Sequence, residues 1–224
     1  MTPRPARALL VAFVLVAAVD LLSLLAGSDL GHRIAKPLLM PLLAACAGVR
    51  GGPRLLVAAL LLGWCGDLAL MSDADPAFLV GMACFAAGHV CYLVLFRRTP
   101  RGGRAAWLPG AYAAVLVALV VLLWPGLPAG LRVPVAGYSL LLTAMAYGAT
   151  RLGPVAALGG ALFMLSDTLI ATGVADWPQL PKAAFWIMIT YVVAQFLLVQ
   201  GVLGPLAARR APAAAYGEMR STTP

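Results

Sequence analysis

The chain has 224 residues, of which 62% are hydrophobic and 11% are charged, and its formal net charge is +8. This composition excludes an ordinary soluble domain, because most of the sequence lies in apolar segments of about 17–25 residues, the length that crosses a hydrocarbon core. The positive charge therefore indicates membrane orientation and attraction to anionic headgroups. Nucleic acid is not predicted as a partner, because no basic stretch alternates with aromatic residues.

Eight apolar segments predict an all-α fold, a polytopic membrane bundle of eight transmembrane helices. They make up one transmembrane domain, 1–208, with spans at about 8–26, 34–49, 53–71, 77–96, 106–124, 131–150, 153–174 and 182–203. Proline and glycine cluster in the joints between them. We interpret the first segment as a retained span, because Asp20 interrupts a run longer than a signal peptide needs. Residues 209–224 are predicted to form a disordered cytoplasmic tail.

The basic residues test this count of spans. With eight spans, twelve of the sixteen lysines and arginines fall on the side that holds both termini. The other side holds Arg33, Lys36, Arg132 and Lys182. The positive-inside rule then places both termini in the cytoplasm, and a bacterial protein of this kind would lie in the inner membrane.

A weak internal repeat accompanies this pattern. Arg50-Gly-Gly-Pro53 precedes Asp67 much as Arg151-Leu-Gly-Pro154 precedes Asp167. The two copies are four spans apart, so they would share an orientation in a 4+4 parallel repeat. Gly-Pro joints also recur by chance, and that alternative stays open.

Asp67 and Asp167 are the predicted catalytic residues. A carboxylate at membrane depth is costly, so it indicates function by default. At 1.5 Å per residue both lie about 20 Å from the cytoplasmic face, and we expect them to share one cavity. Asp20 reaches a similar depth, although for this residue a local pairing partner is the better-supported interpretation.

Other polar side chains are candidates for substrate binding. Lys36 opens the second span, where it would bind a lipid phosphate or serve as an ordinary interfacial anchor. Phe85 and His89 share a face of the fourth span. Depth places His89 about 10 Å nearer the cytoplasm than the aspartates, so a structural hydrogen bond explains His89 at least as well as catalysis does. Tyr138 falls near the aspartate level, and Tyr191 and Gln195 form a polar face at i and i+4. Two histidines, of which His32 is predicted to lie in a loop, are too few for a zinc hydrolase unless carboxylates supply the remaining ligands, so no metal or cofactor is predicted.

Five segments, in this order, resemble the YhhN/TMEM86 family: Lys36-Pro37-Leu-Leu-Met-Pro41, Gly66-Asp67, Phe85-Ala-Ala-Gly-His89-Val-Cys-Tyr92, Gly160-Ala-Leu-Phe-Met-Leu-Ser166-Asp167 and Tyr191-Val-Val-Ala-Gln195. The resemblance implies a multi-span lysoplasmalogenase, which hydrolyses the vinyl ether bond of a lysophospholipid to a fatty aldehyde and a glycerophospho-base. It also implies that Asp67 and Asp167 are catalytic, and it adds Ser166 to the residues expected near the substrate. The resemblance leaves the actual lipid open.

This chemistry suits two carboxyl groups. Protonation of the alkene gives an oxocarbenium ion that water captures, as in glycoside hydrolysis. In a pocket of low dielectric the proton affinities of two carboxyl groups move apart, so that one acts as acid and the other as base. The sequence does not assign the two roles.

Two alternatives come from other classes of protein. A proton-coupled transporter of lipid or small solutes would also place carboxylates at membrane depth. An intramembrane aspartyl protease would share the Gly66-Asp67 pair, but the Tyr-Asp and Pro-Ala-Leu signatures of that class are missing.

Overall fold

The computed structural model of the protein describes residues 3–72, 74, 76–98 and 105–221. Within these ranges the chain is all-helical, as predicted, with eight α-helices and a single 3-10 turn at Thr150–Leu152. The helices are α1 Pro3–Ala26, α2 Asp29–Val49, α3 Arg54–Ala69, α4 Ala77–Arg97, α5 Leu108–Leu123, α6 Ala129–Ala149, α7 Pro154–Val174 and α8 Ala183–Ser221. The predicted loop residues Asp73 and Asp75, and the joint 99–104, lie outside the described residues.

The chain is an integral membrane protein. Among the described residues, five helical stretches are long and apolar enough to span a membrane: 4–26, 77–97, 129–152, 154–174 and 183–206. The other three helices are shorter or more polar. α3 and α5 have 16 residues each, about 24 Å of helix, and α2 carries four ionisable side chains among its first eight residues, Asp29, His32, Arg33 and Lys36.

Close packing of α3 on α4 brings Asp67 beside the core. A Cβ atom on Gly66 would lie 2.6 Å from the Phe85 ring and 3.1 Å from the carbonyl oxygen of Gly81. Only glycine permits this approach, because any larger side chain would push the two helices apart. The residue after Gly66 is therefore held against α4.

Close packing of α7 on α8 positions the second aspartate. A Cβ atom on Gly159 would lie 2.9 Å from the backbone nitrogen of Leu198 and 3.0 Å from the carbonyl oxygen of Ala194. α8 packs along α7 at this short distance while its side chains also reach α3 and α4. One buried core thus joins the helices, centred on fully enclosed side chains such as Met40, Leu60, Met145, Phe163 and Leu198.

Two features differ from the sequence-based predictions. α8 continues as helix to Ser221, where a disordered tail was predicted over 209–224; the alanines of this segment favour helix. His32, predicted to lie in a loop, belongs to α2, which begins at Asp29 after an N-cap at Ser28. The Ser28 hydroxyl accepts a hydrogen bond from the backbone nitrogen of Gly31, so the cap extends the helix through His32.

Candidate functional site

Asp67 forms a buried pair with a tyrosine of α8. Its side chain is 4% exposed, and the Tyr191 hydroxyl donates a hydrogen bond of 2.7 Å to its Oδ2 atom. One turn further along α8, Gln195 accepts a hydrogen bond of 2.7 Å from the Tyr92 hydroxyl of α4. The polar face predicted for α8 therefore points into the bundle, where it connects α8 to both α3 and α4.

Asp167 forms the corresponding pair with a tyrosine of α6. The Tyr138 hydroxyl donates a hydrogen bond to its Oδ2 atom. The same hydroxyl lies 3.1 Å from Nε2 of His89. Because the phenol gives its only proton to the carboxylate, its oxygen is left to accept, and His89 must carry a proton on Nε2. His89, expected well below the aspartate level, thus joins the site through Tyr138.

An aromatic cluster connects the two aspartate–tyrosine pairs. The Phe163 ring centroid lies 5.5 Å from that of Tyr191 and 4.9 Å from that of His89. Phe85 completes the cluster at 5.9 Å from Tyr191 and 6.3 Å from Phe163. Phe163 was not among the predicted site residues, although its position one helical turn before Asp167 places both side chains on the same face of α7.

A cavity opens beside Asp167, between α4, α5, α6 and α7. Its wall includes Asp167, Tyr138 and Phe85, together with many aliphatic side chains. Asp67 is buried outside this wall, which differs from the single shared cavity expected from the sequence. The reason is Phe85, whose ring lines the cavity on one side and contacts Tyr191 on the other. Even so, the two carboxyl groups are near enough to interact coulombically.

Lys36 lies near Asp67 and is not part of the wall of this cavity. It is half-buried on α2 and interacts coulombically with both Asp67 and Asp20. The Pro37 carbonyl accepts a hydrogen bond of 2.8 Å from the Trp64 indole of α3. This bond fixes the first half of α2 against the helix that carries Asp67.

Asp20 is paired locally, as the simpler interpretation expected. It is fully buried on α1, and its Oδ1 atom lies 2.8 Å from Nδ1 of His32 on α2. Asp20 Oδ2 has no hydrogen-bond partner among the described residues. The pair joins α1 to α2 beside Lys36, away from the cavity.

The Ser166 side chain lies at the contact between α7 and α8. Its hydroxyl is 1% exposed and donates a hydrogen bond of 3.0 Å to the Ile187 carbonyl of α8. The structure therefore brings six of the seven predicted substrate-binding residues near the two aspartates and places Ser166 at the α7–α8 interface. A direct contact of Ser166 with substrate remains a prediction.

The carboxyl and phenol groups of the site suit proton transfer. Each carboxyl group has a phenol partner, and both lie among aromatic rings, where an electrostatic interaction is stronger than in water. Among the described residues, no group of three or more His, Cys, Asp or Glu side chains is arranged to hold a metal ion. Two coupled carboxyl groups in such surroundings can divide the roles of acid and base between them.

The chain is similar to a known protein family and to several known proteins. The model of the YhhN family matches residues 31–202. The chain is 38% identical over 144 residues to "Lysoplasmalogenase TMEM86B" of Sus scrofa, covering 62% of this chain and 59% of that protein. The human protein of that name is 35% identical over 156 residues, with 68% and 65% covered, and that of Rattus norvegicus is 32% identical over 173 residues, with 75% and 70% covered. No solved structure matches.

The matches cover only part of the first two relatives but include the predicted site residues of this chain. The matched region spans less than two thirds of the pig and human relatives. Every predicted catalytic or substrate-binding residue, from Lys36 to Gln195, falls within the residues matched by the family model, whereas Asp20 falls before them.

Proposed function

Because this chain belongs to the YhhN family, we propose that it is a membrane-embedded hydrolase that cleaves the vinyl ether bond of lysoplasmalogen-type lysophospholipids. The products are a fatty aldehyde and a glycerophospho-base. The relatives named lysoplasmalogenase support this activity. The observation that carries the proposal is the pair of buried aspartates, each bonded to a tyrosine and joined by one aromatic cluster.

The first step is proton transfer to carbon. One carboxyl group gives its proton to the alkene carbon that is not bonded to oxygen, and the carbon bonded to oxygen becomes an oxocarbenium ion. Asp67 and Asp167 suit this step, because two interacting carboxyl groups titrate as a pair and one keeps its proton while the other is ionised. The ionised partner and the faces of the surrounding rings stabilise the positive charge.

The second step is capture by water. The ionised carboxylate accepts a proton from water as the water oxygen bonds to the oxocarbenium carbon, giving a hemiacetal. This now protonated carboxyl group then gives its proton to the glycerol oxygen as the bond from carbon to that oxygen breaks, while the first carboxyl group takes the proton of the hemiacetal hydroxyl and the aldehyde is released. The chemistry balances with one water molecule consumed and the two carboxyl groups restored, so no redox or metal cofactor is required.

The amphiphilic layout of the site fits a lysophospholipid. Lys36 offers a positive charge near Asp67, where a phosphate would be attracted. The mainly aliphatic cavity lies beside the other aspartate, Asp167, which is in its wall. A vinyl ether bond, which joins the polar and apolar parts of the molecule, would then lie between Lys36 and the cavity, next to the carboxyl groups.

The hydrolysis itself is tested with protein purified in detergent and a vinyl ether lysophospholipid. We expect release of stoichiometric aldehyde without a sealed compartment, undiminished by prolonged treatment with a metal chelator. A transporter would release no aldehyde under these conditions. Activity lost to chelator and restored by zinc would contradict the proton-transfer mechanism.

We also propose that all eight helices cross the membrane, with both termini in the cytoplasm and a 4+4 parallel repeat. The distribution of basic residues supports the orientation. The repeat is supported by the starts of α3 and α7, which follow directly on Pro53 and Gly153 and precede an aspartate by similar distances. A reporter enzyme fused to the C-terminus should be active only in the cytoplasm. A C-terminal reporter active on the outer side would contradict the proposed orientation.

A further inference from the structure

We propose that the cavity between α4, α5, α6 and α7 is the binding site for the hydrocarbon chain of the substrate, and that its far end sets the chain length accepted. This inference rests on the proposed function, because it assigns the chain of the same lipid. No residue of the cavity other than Phe85, Tyr138 and Asp167 was implicated by the sequence.

The cavity follows the helix axes as a continuous stripe. On α4 its wall contains Phe78, Met82 and Phe85, and on α7 it runs from Met164 to Val174. The ten steps from Met164 to Val174 correspond to about 15 Å along the helix axis. The spacing on α4, at i, i+4 and i+7, keeps the wall on one helix face. A wall that extends this far along the helices matches an extended chain rather than a compact solute.

Polar and apolar groups are separated along the cavity. The polar side chains are gathered around the candidate catalytic aspartate: Tyr138, Ser139, Thr143, Asp167 and Thr168. Beyond Thr168 the α7 side chains in the wall are hydrophobic, Ile170, Ala171 and Val174, and Leu123 of α5 and Val135 of α6 also line the cavity. Burial of an alkyl chain in this part gains about 0.8 kcal/mol for each CH₂ group. A reactive bond at Asp167 would thus have its chain directed into the apolar part.

A small buried cluster closes the apolar end. Leu123, Leu127, Val135 and Ala175 are each less than 9% exposed and pack together there. Gly126 allows the α5–α6 turn to reach this point, since a Cβ atom on it would lie 2.4 Å from the carbonyl oxygen of Ala175. A wall formed in this way limits how far a chain can extend, so the cavity distinguishes chains by length.

A variant that shortens the cavity tests this inference. Ala171→Phe fills the apolar part between Asp167 and the closing cluster. We expect kcat/KM to fall at least about tenfold for a long-chain vinyl ether lysophospholipid and to stay nearly unchanged for a short-chain one. The matched control is Ala161→Phe on the same helix, which is exposed on the outer surface of the bundle and should leave both values unchanged. Equal losses for both chain lengths in Ala171→Phe would overturn the proposal.

A crosslinking experiment decides the question independently of turnover and of variant folding. The probe is a saturated alkyl ether lysophosphocholine with a diazirine at the chain end, which wild-type protein binds but cannot hydrolyse through an alkene. We expect photolabelled peptides from α5 and from the second half of α7. Labels found only on exposed surfaces, such as that of α1, would overturn the chain site even if vinyl ether hydrolysis is observed. Labels in the cavity without hydrolysis would instead support the chain site and contradict the proposed function.

Discussion

Asp67→Asn and Asp167→Asn are each expected to lower kcat for aldehyde release by at least about a hundredfold, the usual contribution of general acid–base catalysis. The amide keeps the shape of the carboxyl group and can still accept the tyrosine hydrogen bond, but it can neither donate a carboxylic proton nor carry the stabilising negative charge. Removal of a buried charge should leave thermal stability similar or slightly higher. The measurement is turnover by each variant in detergent, together with its melting temperature.

Asp176→Asn serves as the matched control. Asp176 is exposed after α7 and has a φ angle of 54°, which asparagine tolerates well. This variant should behave like the wild type. If Asp67→Asn or Asp167→Asn retained more than about a tenth of wild-type turnover, a change of under 1.4 kcal/mol in the barrier, the affected aspartate would be neither the acid nor its partner.

Much of the fold followed from composition and spacing. The eight helices begin and end within a few residues of most predicted spans, because Gly-Pro joints interrupt long apolar runs and leave little freedom for other boundaries. Counting 1.5 Å per residue from the joints put Tyr138 near the predicted level of Asp167, and the two side chains are hydrogen-bonded in the structure. Helix boundaries in a membrane sequence are therefore largely predictable once the joints are known.

The direction in which each side chain points from its helix was harder to predict than the helix boundaries. The depth estimate separated His89 from the aspartates, but a tyrosine hydroxyl extends far from its backbone, and Tyr138 bridges that separation. Phe163 has no polar group that would mark it as a site residue in the sequence, yet it lies at the centre of the aromatic cluster. Ser166 has the polar group but faces the α8 backbone. Which side chains meet depends on helix packing, and close packing at glycines such as Gly66 and Gly159 is decided by several helices at once.

The second large effect is expected from the chain of hydrogen bonds that runs from His89 through Tyr138 to Asp167. Tyr138→Phe removes the hydroxyl that bonds to the carboxylate, and a hydrogen bond to a charged group is worth about 1.5–3 kcal/mol. We expect kcat to fall roughly ten- to hundredfold. Tyr112→Phe is the control, since the Tyr112 ring packs on Tyr147 and lies outside the wall of the cavity.

His89 is expected to act only through Tyr138. Its Nε2 atom orients the tyrosine hydroxyl, and its Nδ1 atom has no hydrogen-bond partner among the described residues. His89→Leu should therefore lower kcat in the wild-type background but have little further effect when Tyr138 is already phenylalanine, while His89→Gln, which keeps a donor, should restore part of the loss. The double-mutant cycle measures this coupling directly. Equal losses from His89→Leu in both backgrounds would show that His89 acts on the reaction independently of Tyr138. The hydrogen bond between His89 and Tyr138 would then contribute nothing to catalysis.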